Sequence, residues 1–486
     1  MVSVEMPIRK VAKFIYALFF ILILQLTYLQ VVDAKNLENN PKNTRTIINK
    51  FTKPRGDIVS ADGVVVATST PSDDEWKFQR VYPTGELFGH ISGFQSFRFG
   101  NTGVEDTYNS SLQGERGREE NVPRVILTVS NDIQSFLKES LNGQKGSIVV
   151  MEAKTGSIVG MYSNPSYDPN PLTSHDQFKA QQSFTNLITD ETKPSVSRAF
   201  AERYAPGSTF KIITASAALE TGKADDNYKF GALNFFKMAQ TDKTIYNFGK
   251  SSCGGTLQRA FQQSCNVVFA SLSTQMGDQF TPIMERFGVG GKFNGTENIG
   301  SPPKLDIAGA VGATGTLENS FSKNQPSFGY AGIGQGLISL SPLSVALMTS
   351  AIANNGTIPN PHVVDHTENG SGTILKRINP DPFKQNVISP TIAEKVKGYM
   401  VDVVNQGSGT SAKTNGLTIA GKTGTAQVDG FDSPNVWFTS FAPAEDPKYI
   451  VTVFLETSKS TNINATGGGL SAPIAKSIYE KLFNLK

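Results

Sequence analysis

A run of 19 residues without a charged side chain, Phe14–Val32, lies close to the start of the chain. As an α-helix it would be roughly 28 Å long, which matches the hydrocarbon core of a bilayer. Three basic residues precede it, and basic residues beside a membrane helix favour the cytoplasmic side. The run therefore predicts a single transmembrane anchor over residues 14–32, a cytoplasmic tail over residues 1–13 and export of the rest.

A cleaved signal peptide is the alternative, because Val32-Asp33-Ala34 faintly resembles a cleavage site. The apolar run exceeds the usual apolar region of a signal peptide, about 7–15 residues, which favours an uncleaved anchor. The whole chain carries a net charge of +3, of which residues 1–35 supply +2. The exported part is therefore nearly neutral, and nothing in it suggests a nucleic-acid partner.

A serine and a lysine stand three residues apart in the middle of the chain, at Ser208 and Lys211. Pro206 and Gly207 break the chain just before a helical pattern, so Ser208 falls in the first turn of a helix. Residues three apart share a helix face, which places a weak nucleophile beside a possible base at the positive end of the helix dipole. Alone this pattern is unspecific, because most such pairs are surface residues without chemistry.

Two further motifs follow, Ser264-Cys265-Asn266 and Lys422-Thr423-Gly424-Thr425, the second at the end of a short predicted strand, Thr418–Ala420. Ser-x-x-Lys, Ser-x-Asn and Lys-Thr-Gly together form the signature set of penicillin-binding proteins and class A β-lactamases. Three motifs in this order, 56 and 158 residues apart, are far more specific than any one of them. The chain resembles the class B penicillin-binding proteins, the membrane-anchored peptidoglycan D,D-transpeptidases.

The resemblance covers nearly the whole exported part, and the short N-terminal domain is most similar to the actinobacterial penicillin-binding protein A type. The further phrases that carry it are Arg55-Gly56-Asp57-Ile58, Tyr82-Pro83 with Gly89-His90, Gly103-Val104-Glu105, Pro165-Ser166-Tyr167-Asp168-Pro169-Asn170, Gly334-Gln335-Gly336, Trp437-Phe438 and Phe441-Ala442-Pro443. Ser197-Arg198-Ala199 departs modestly from the Asn-Arg-Ala of many relatives.

The pattern of apolar runs predicts an α/β fold. Two strands precede Ser208 and three lie near the end of the chain, which suggests one antiparallel sheet closed by both chain ends, with helices between. These strands are Gly146–Glu152, Gly156–Tyr162, Thr418–Ala420, Trp437–Phe441 and Tyr449–Leu455. The resemblance implies the penicillin-binding serine transpeptidase fold, a five-stranded antiparallel sheet flanked by helices. We expect a small mixed non-catalytic domain over residues 33–124, of the dimerisation or pedestal type, and a transpeptidase domain over residues 125–486.

The chemistry of an attacking Ser208 requires a proton acceptor, and Lys211 can accept a proton only when it is neutral. Its pKa must then fall from about 10.4 to about 7, which costs about 4 kcal/mol and calls for burial and a nearby positive charge. Lys422 is the expected neighbour. Ser264 would relay the proton to the leaving group, while Asn266 binds the substrate backbone or orients Lys211.

Backbone N–H groups of Ser208 and Thr425 are expected to form the oxyanion hole. Thr423, Gly424 and Thr425 form the expected substrate-binding strand, whose two threonines bind the terminal carboxylate. The resemblance implies D-Ala-D-Ala stem peptides as donor, a neighbouring stem's amine as acceptor, and acylation of the same serine by β-lactams. It also implies partners in a cell-wall synthesis complex through the N-terminal domain. No cofactor is expected, and the four histidines form no metal-ligand pattern.

Several alternatives remain. A β-lactamase is the nearest, but no Glu-x-x-x-Asn lies between Ser264 and Lys422 to activate a deacylating water. The roughly 90 residues after the anchor disfavour a bifunctional enzyme with a glycosyltransferase domain. A non-catalytic cell-wall scaffold is a third possibility, disfavoured by the intact motifs. Gly416–Thr423 matches the P-loop pattern, but an apolar strand lies inside it and no helical spacing follows.

Two short sequences beside these motifs need an interpretation of their own. Lys154-Thr155-Gly156 copies the third motif, but it lies in a predicted hairpin turn and is not expected to function. The sequence leaves the bonding state of Cys253 and Cys265 open, because the geometry of the two thiols decides between a disulfide and two free cysteines. As the middle residue of its motif, Cys265 is expected to act as a small buried apolar residue rather than to tune the site.

Overall fold

A computed structural model describes residues 5–34, 51–113, 122–238, 241–289, 305–307, 325–427, 434–457 and 465–485. The chain divides into two compact units, one made of residues 1–54 and 70–79, the other of residues 55–69 and 80–486. Residues 35–55 are polar, which predicts a tether or an edge strand, but most of them lie outside the described residues.

The first unit contains the predicted membrane helix. The α-helix Glu5–Thr27 continues as a π-helical turn, Tyr28–Val32. Its segment Ile8–Val32 is long and apolar enough to cross a membrane, with a mean hydropathy of 2.1 and no buried residue. The helix predicted from the uncharged run is therefore confirmed.

Short strands and helices alternate along the described residues. In chain order the strands are β1 (Ile58–Val59), β2 (Val65–Pro71), β3 (Phe78–Val81), β4 (Gln95–Ser96), β5 (Gly100–Asn101), β6 (Arg124–Leu127), β7 (Gly146–Glu152), β8 (Ile158–Asn164), β9 (Phe230–Leu233), β10 (Phe235–Lys237), β11 (Thr244–Tyr246), β12 (Cys253–Gly255), β13 (Val364–Glu368), β14 (Ile374–Arg377), β15 (Ala420–Ala426), β16 (Asn435–Ala442) and β17 (Tyr449–Glu456). After the membrane helix, the α-helices are Gly89–Ser92, Gly103–Thr107, Asn109–Gln113, Asn131–Leu141, Gln177–Thr189, Lys211–Glu220, Leu257–Gln262, Asn266–Met276, Phe280–Arg286, Gln325–Ala331, Pro342–Ala353, Pro390–Gln406 and Ala472–Leu482.

The central sheet of the second unit has the strand order β15-β16-β17-β7-β8, and all its neighbours are antiparallel. Strands from before and after Ser208 therefore meet in one sheet, as predicted. Successive side chains of a strand point to opposite faces, and β16 is buried on both. On one face Thr439 hydrogen-bonds Thr349 of the helix Pro342–Ala353, and on the other Ser440 hydrogen-bonds Tyr479 of the C-terminal helix. Helices thus cover both faces of the sheet.

Three helix starts are predicted by capping patterns in the sequence: Ser130 or Asn131, Ser341-Pro342 and Ser389-Pro390. Ser130 Oγ accepts a hydrogen bond from Ile133 N at the start of the helix Asn131–Leu141. Ser341 and Ser389 cap the two helices that begin with proline in the same way. A side-chain oxygen at this position satisfies an N–H group that has no partner within the helix.

Two predicted strand boundaries were wrong. The strand predicted over Thr418–Ala420 begins at Ala420 and runs to Ala426, so the third motif lies inside it. All seven residues of β15 pair with β16, and this pairing outweighs the low strand propensity of lysine and glycine. The strand predicted from Gly156 begins at Ile158, because Gly156 has a φ of +81° in the preceding turn.

A second sheet combines strands that precede the catalytic motifs with two strands, β13 and β14, that lie between the second and third motifs. β1 pairs antiparallel with β2 across Ala61-Asp62-Gly63, a sequence typical of hairpin turns, and it runs parallel to β6. β13 pairs antiparallel with β6 on one side and with β14 on the other. A buried carboxylate lies nearby: Glu105 accepts from Arg55 Nε at 2.5 Å and from Arg80 Nε at 2.6 Å. Burial would raise the pKa of Glu105, but the charges of Arg80 and Arg55 outweigh it and hold the pKa below its usual value.

Replacing Glu105 with glutamine is expected to lower the free energy of unfolding by about 3–5 kcal/mol, because it removes the charge of the carboxylate that two buried arginines share. The stabilisation should be complete above the ordinary pKa of glutamate and lost as the pH falls through the lowered pKa of the folded state. Urea denaturation of the variant measures it. The control is Glu86→Gln, whose ion pair with Lys138 is exposed and contributes little. Equal stability of the two variants would contradict the structural role of Glu105.

Candidate active site

The predicted nucleophile lies on a tight turn that leads into a helix. Residues Gly207–Phe210 form a 3₁₀ turn, and the α-helix Lys211–Glu220 follows without a break. Thr209 Oγ1 donates to Pro206 O at 2.8 Å and fixes the turn. Ser208 is half-buried, whereas Lys211 is completely buried. The helix start is confirmed, with a tighter first turn than an α-helix.

The amino group of Lys211 is held by the second motif. Its Nζ donates to Ser264 O at 2.7 Å and to Asn266 Oδ1 at 2.7 Å, and it lies 3.3 Å from Ser264 Oγ. The two shorter contacts are to oxygens that only accept. A neutral amine has two hydrogens and one lone pair, so these contacts engage both hydrogens and leave the lone pair available.

Ser264 lies between the two lysines of the motifs. Its φ of +59° is in the left-handed region, uncommon for a residue other than glycine. In this conformation both its carbonyl and its hydroxyl contact Lys211, and the hydroxyl also accepts from Lys422 Nζ at 2.9 Å. Unusual backbone conformations of this kind concentrate at functional sites.

The electrostatics of the site come from two buried lysines. Neither Lys211 nor Lys422 forms an ion pair with a carboxylate of the described residues, and each nitrogen lies over a phenylalanine ring. Burial, together with the charge of Lys422, holds the pKa of Lys211 well below its usual range. Burial lowers the pKa of Lys422 to about 7. Burial and a neighbouring charge both favour the neutral amine of Lys211, which is the form that an attacking serine requires.

The third motif lies on β15, beside the turn that carries Ser208. A Cβ atom added to Gly424 would lie 2.9 Å from Pro206 O, so the strand approaches this turn as closely as only glycine allows. Thr423 and Thr425 share one face of the strand. Thr423 is nearly buried and its hydroxyl lies 2.6 Å from Ser408 Oγ, whereas Thr425 is half-buried. Direct contacts thus join Lys211, Ser264, Asn266 and Lys422, with Ser208 one helical turn from Lys211.

Three supporting residues received no role in the sequence analysis. Ser408 hydrogen-bonds Thr423, and the indole of Trp437 donates to Ala205 O at 3.1 Å, just before the Ser208 turn. Gly334 O accepts from Gly207 N at 2.9 Å; Gly334 has a φ of +70°, and a Cβ there would lie 2.1 Å from Gly207 O. The sequence signal for Ser408 and Gly334 was a pair of glycines around one residue, in Gly407-Ser408-Gly409 and Gly334-Gln335-Gly336.

Replacing Ser408 with alanine is expected to raise the KM for a substrate with a free terminal carboxylate about fivefold and to leave kcat nearly unchanged. The Thr423 hydroxyl would lose the partner that orients it, a loss of about 1 kcal/mol. Steady-state kinetics with a D-Ala-D-Ala peptide measure this. Ser411→Ala, an exposed serine three residues away, is the matched control. A fall in kcat with unchanged KM would contradict the orienting role.

The two cysteines form a disulfide between Cys253 and Cys265, with their Cα atoms 5.9 Å apart. This settles the pairing that the sequence left open. It also corrects the expectation that Cys265 acts only as a small apolar residue, because the bond ties the middle of the second motif to β12. The sequence offered no sign of this contact, since the residues between positions 253 and 265 must fold back before the sulfurs meet.

The competing motifs have other structural roles. β15 pairs along its whole length and no helix begins at Lys422, so Gly416–Thr423 is not a P-loop. Lys154 lies in the predicted hairpin turn and forms an exposed ion pair with Asp446. No group of three residues suited to bind a metal occurs among the residues the structure describes.

Comparison with known proteins identifies two domains. Residues 146–480 match the model of the penicillin-binding protein transpeptidase domain, and residues 55–135 match that of the penicillin-binding protein A dimerisation domain. The chain is 32% identical to the peptidoglycan D,D-transpeptidase PbpA of Mycolicibacterium smegmatis over 96% of this chain and 97% of that protein. It is also 32% identical to PbpA of Mycobacterium tuberculosis, over 97% of this chain and 98% of that protein.

Solved structures give the same result. The ceftriaxone acyl-enzyme complex of penicillin-binding protein A from M. tuberculosis is 29% identical, with a TM-score of 0.79 over 89% of this chain and 99% of that chain. Its penicillin G acyl-enzyme complex has a TM-score of 0.78 at 29% identity, over 89% of this chain and 100% of that chain. With both domain matches, these similarities confirm the predicted family and fold: the chain belongs to the penicillin-binding proteins with a transpeptidase domain, and it is similar to the penicillin-binding protein A type.

Proposed function

We propose that this protein is a membrane-anchored peptidoglycan D,D-transpeptidase in which Ser208 forms an acyl-enzyme with a D-Ala-D-Ala stem peptide. The observation that carries the assignment is the buried Lys211, whose amine is held by Ser264 and Asn266 beside a second buried lysine. This arrangement supplies a neutral base next to a serine. Two relatives that are each 32% identical to this chain are named peptidoglycan D,D-transpeptidases, which supports the same reaction.

Acylation begins when Ser208 Oγ attacks the carbonyl carbon between the two D-alanines and its proton passes to the lone pair of Lys211. The tetrahedral intermediate collapses, the peptide C–N bond breaks and the nitrogen of the leaving D-alanine needs a proton. Ser264 Oγ, in contact with both lysines, relays that proton from Lys211. The amine of a second stem then attacks the ester and gives a proton to Lys211. As the ester bond breaks, Lys211 passes that proton to Ser208 Oγ, which restores the serine hydroxyl and the neutral base. Each step conserves the transferred proton.

The strand β15 supplies binding and charge stabilisation in this proposal. The N–H groups of Ser208 and Thr425 form the oxyanion hole, a contribution of about 10²–10³ in rate for each donor. The hydroxyls of Thr423 and Thr425 bind the terminal carboxylate, which Lys422 attracts by its charge. The close approach of Gly424 to the Ser208 turn supports this assignment, because it places both donors on neighbouring segments. β-Lactams place a carboxylate and a reactive carbonyl in similar positions.

Two alternatives are weaker. A β-lactamase needs a group that activates water against the acyl-enzyme, and the sequence between the second and third motifs lacks the Glu-x-x-x-Asn that would supply it. A non-catalytic scaffold would not need two buried lysines without a carboxylate partner among the described residues, since burying charge without compensation is costly. Both features favour the transpeptidase.

The topology and the role of the N-terminal part belong to the same proposal. The helix within residues 14–32 anchors the protein in the cell membrane, residues 1–13 stay in the cytoplasm and the catalytic domain is extracytoplasmic. Residues 33–124 form a non-catalytic module that docks on other cell-wall synthesis proteins, and residues 125–486 carry the transpeptidase. The match of residues 55–135 to a dimerisation domain supports a docking role.

The proposal is tested with the full chain in detergent. After reaction with penicillin and digestion with trypsin, the adduct should map by mass spectrometry to the peptide Tyr204–Lys211, and incubation with stem-peptide substrates should give cross-linked dimers. An adduct on another peptide would overturn the nucleophile. Rapid loss of the label would indicate a β-lactamase, release of D-alanine alone a carboxypeptidase, and labelling without turnover a scaffold.

A further inference from the structure

A hairpin beside the candidate active site exposes aromatic rings on its outer face. In the antiparallel pair β10 and β11, Phe235 is opposite Tyr246 and their ring centroids are 6.5 Å apart. The two side chains are 50% and 47% exposed. On the other face Ile245 is buried in the core and Phe236 packs against it. The hairpin therefore has an apolar inner face for folding and a second aromatic face that folding does not use.

Lysines surround the outer rings. Lys237 is exposed and follows Phe235 on the same face, because side chains alternate along a strand. Lys250 Nζ lies 5.5 Å from the centroid of the Tyr246 ring. Phe248 adds a third ring, 67% exposed. Residues 228–250 contain four lysines and one aspartate, a net charge of +3 in an otherwise nearly neutral exported chain. We call the surface formed by Phe235, Lys237, Tyr246, Phe248 and Lys250 the aromatic hairpin face.

The strand β11 and the residue after it form hydrogen bonds with the second motif and with the residue that follows the motif. Tyr246 O accepts from Asn266 Nδ2 at 2.9 Å, and Asn247 Oδ1 accepts from Val267 N at 3.0 Å. The disulfide joins Cys265 to Cys253 of β12, which pairs with β9 just before the hairpin. A ligand on this face would thus lie next to a stem peptide bound at Ser208.

The chemistry of this face fits one occupant best. Exposed aromatic rings stack on the apolar faces of sugar rings, and lysines attract carboxylates. A peptidoglycan strand presents alternating sugars and acidic stem peptides. A glycan chain whose stem peptide is bound at Ser208 stays close to the aromatic hairpin face, so its effective concentration there is high. An anionic membrane surface also attracts aromatic and basic side chains, but a membrane is not attached to the peptide in the active site.

We propose that the aromatic hairpin face binds the glycan backbone of the peptidoglycan strand whose stem peptide occupies the active site, with sugars on Phe235 and Tyr246 and acidic groups on Lys237 and Lys250. This inference rests on the proposed transpeptidase function. It makes the enzyme selective for stem peptides attached to a polymer, as opposed to free peptides of the same sequence.

The test compares two substrates with the full-length protein in detergent, a glycan-linked stem peptide and the free stem peptide. The variant Phe235→Ala/Lys237→Ala should lower kcat/KM for the linked substrate about tenfold, while kcat/KM for the free peptide and the rate of acylation by penicillin stay unchanged. Phe178→Ala, 78% exposed on the helix Gln177–Thr189, is the control and should change neither. Equal losses for both substrates, or no loss for either, would overturn the proposal.

A second measurement separates the membrane alternative. With the full chain in nanodiscs, hydrogen exchange of residues 230–250 should slow when soluble glycan fragments are added and should not depend on anionic lipid. Slowing by anionic lipid without glycan would overturn the proposal and make the face a membrane contact. Penicillin labelling of the same samples reports the catalytic centre independently, so failure of the transpeptidase assignment is distinguishable from failure of the glycan site.

Discussion

Replacing Ser208 with alanine is expected to abolish covalent labelling of the protein by penicillin, with a loss on the order of 10⁴-fold or more in acylation rate. The substitution removes the only atom that forms the ester in the proposed mechanism. Lys211, Ser264, Asn266 and Lys422 form their mutual contacts without the Ser208 hydroxyl, so the site should keep its geometry. Gel fluorescence after incubation with a labelled penicillin measures the effect.

The control for this experiment is Ser216→Ala. Ser216 lies on the same helix, is fully buried and donates only to Ile212 O of its own helix. Its loss should leave the labelling rate unchanged, and equal melting temperatures would show that both variants fold. Labelling of the Ser208→Ala variant at the rate of the unaltered protein would refute the nucleophile assignment.

The elements predicted well from the sequence have local signals. The uncharged run at residues 14–32 specifies its helix by composition alone, and Ser130, Ser341 and Ser389 start their helices because a side-chain cap needs only the next few residues. The apolar runs on both sides of Ser208 also predicted that strands from both parts of the chain share one antiparallel sheet, although the order of the strands came only from the structure. The three motifs were found by their order and spacing.

The features missed from the sequence depend on distant partners. β15 extends through Lys422 and Gly424, residues that favour no strand, because pairing with β16 fixes them. Ser408 contacts Thr423 across 15 residues. The left-handed conformation of Ser264 has no marker in Ser-Cys-Asn, although it is what brings the Ser264 carbonyl to Lys211. Local propensity cannot reveal contacts of this kind, which concentrate where function constrains the backbone.

Replacing Lys211 with arginine is expected to lower the acylation rate about 10³-fold or more, because a guanidinium stays charged and cannot accept the Ser208 proton. In the unaltered protein, kcat/KM should rise with pH as Lys211 loses its proton. It should fall again above about 7, where Lys422 loses the charge that attracts the substrate carboxylate, because burial lowers the pKa of Lys422 to about 7. The two lysines interact directly, so the rising and the falling limb of this pH profile are properties of the pair of lysines.

The Lys422→Met variant separates the two causes of the lowered pKa of Lys211. Burial, the larger cause, remains in this variant, but the charge that also lowers the pKa of Lys211 is gone. The rising limb of the pH profile should therefore move to higher pH, and the falling limb should disappear because methionine does not titrate. Stopped-flow acylation by a β-lactam across the pH range measures both limbs. A rising limb at unchanged pH would mean that Lys422 does not lower the pKa of Lys211, and the base would then owe its neutrality to burial alone.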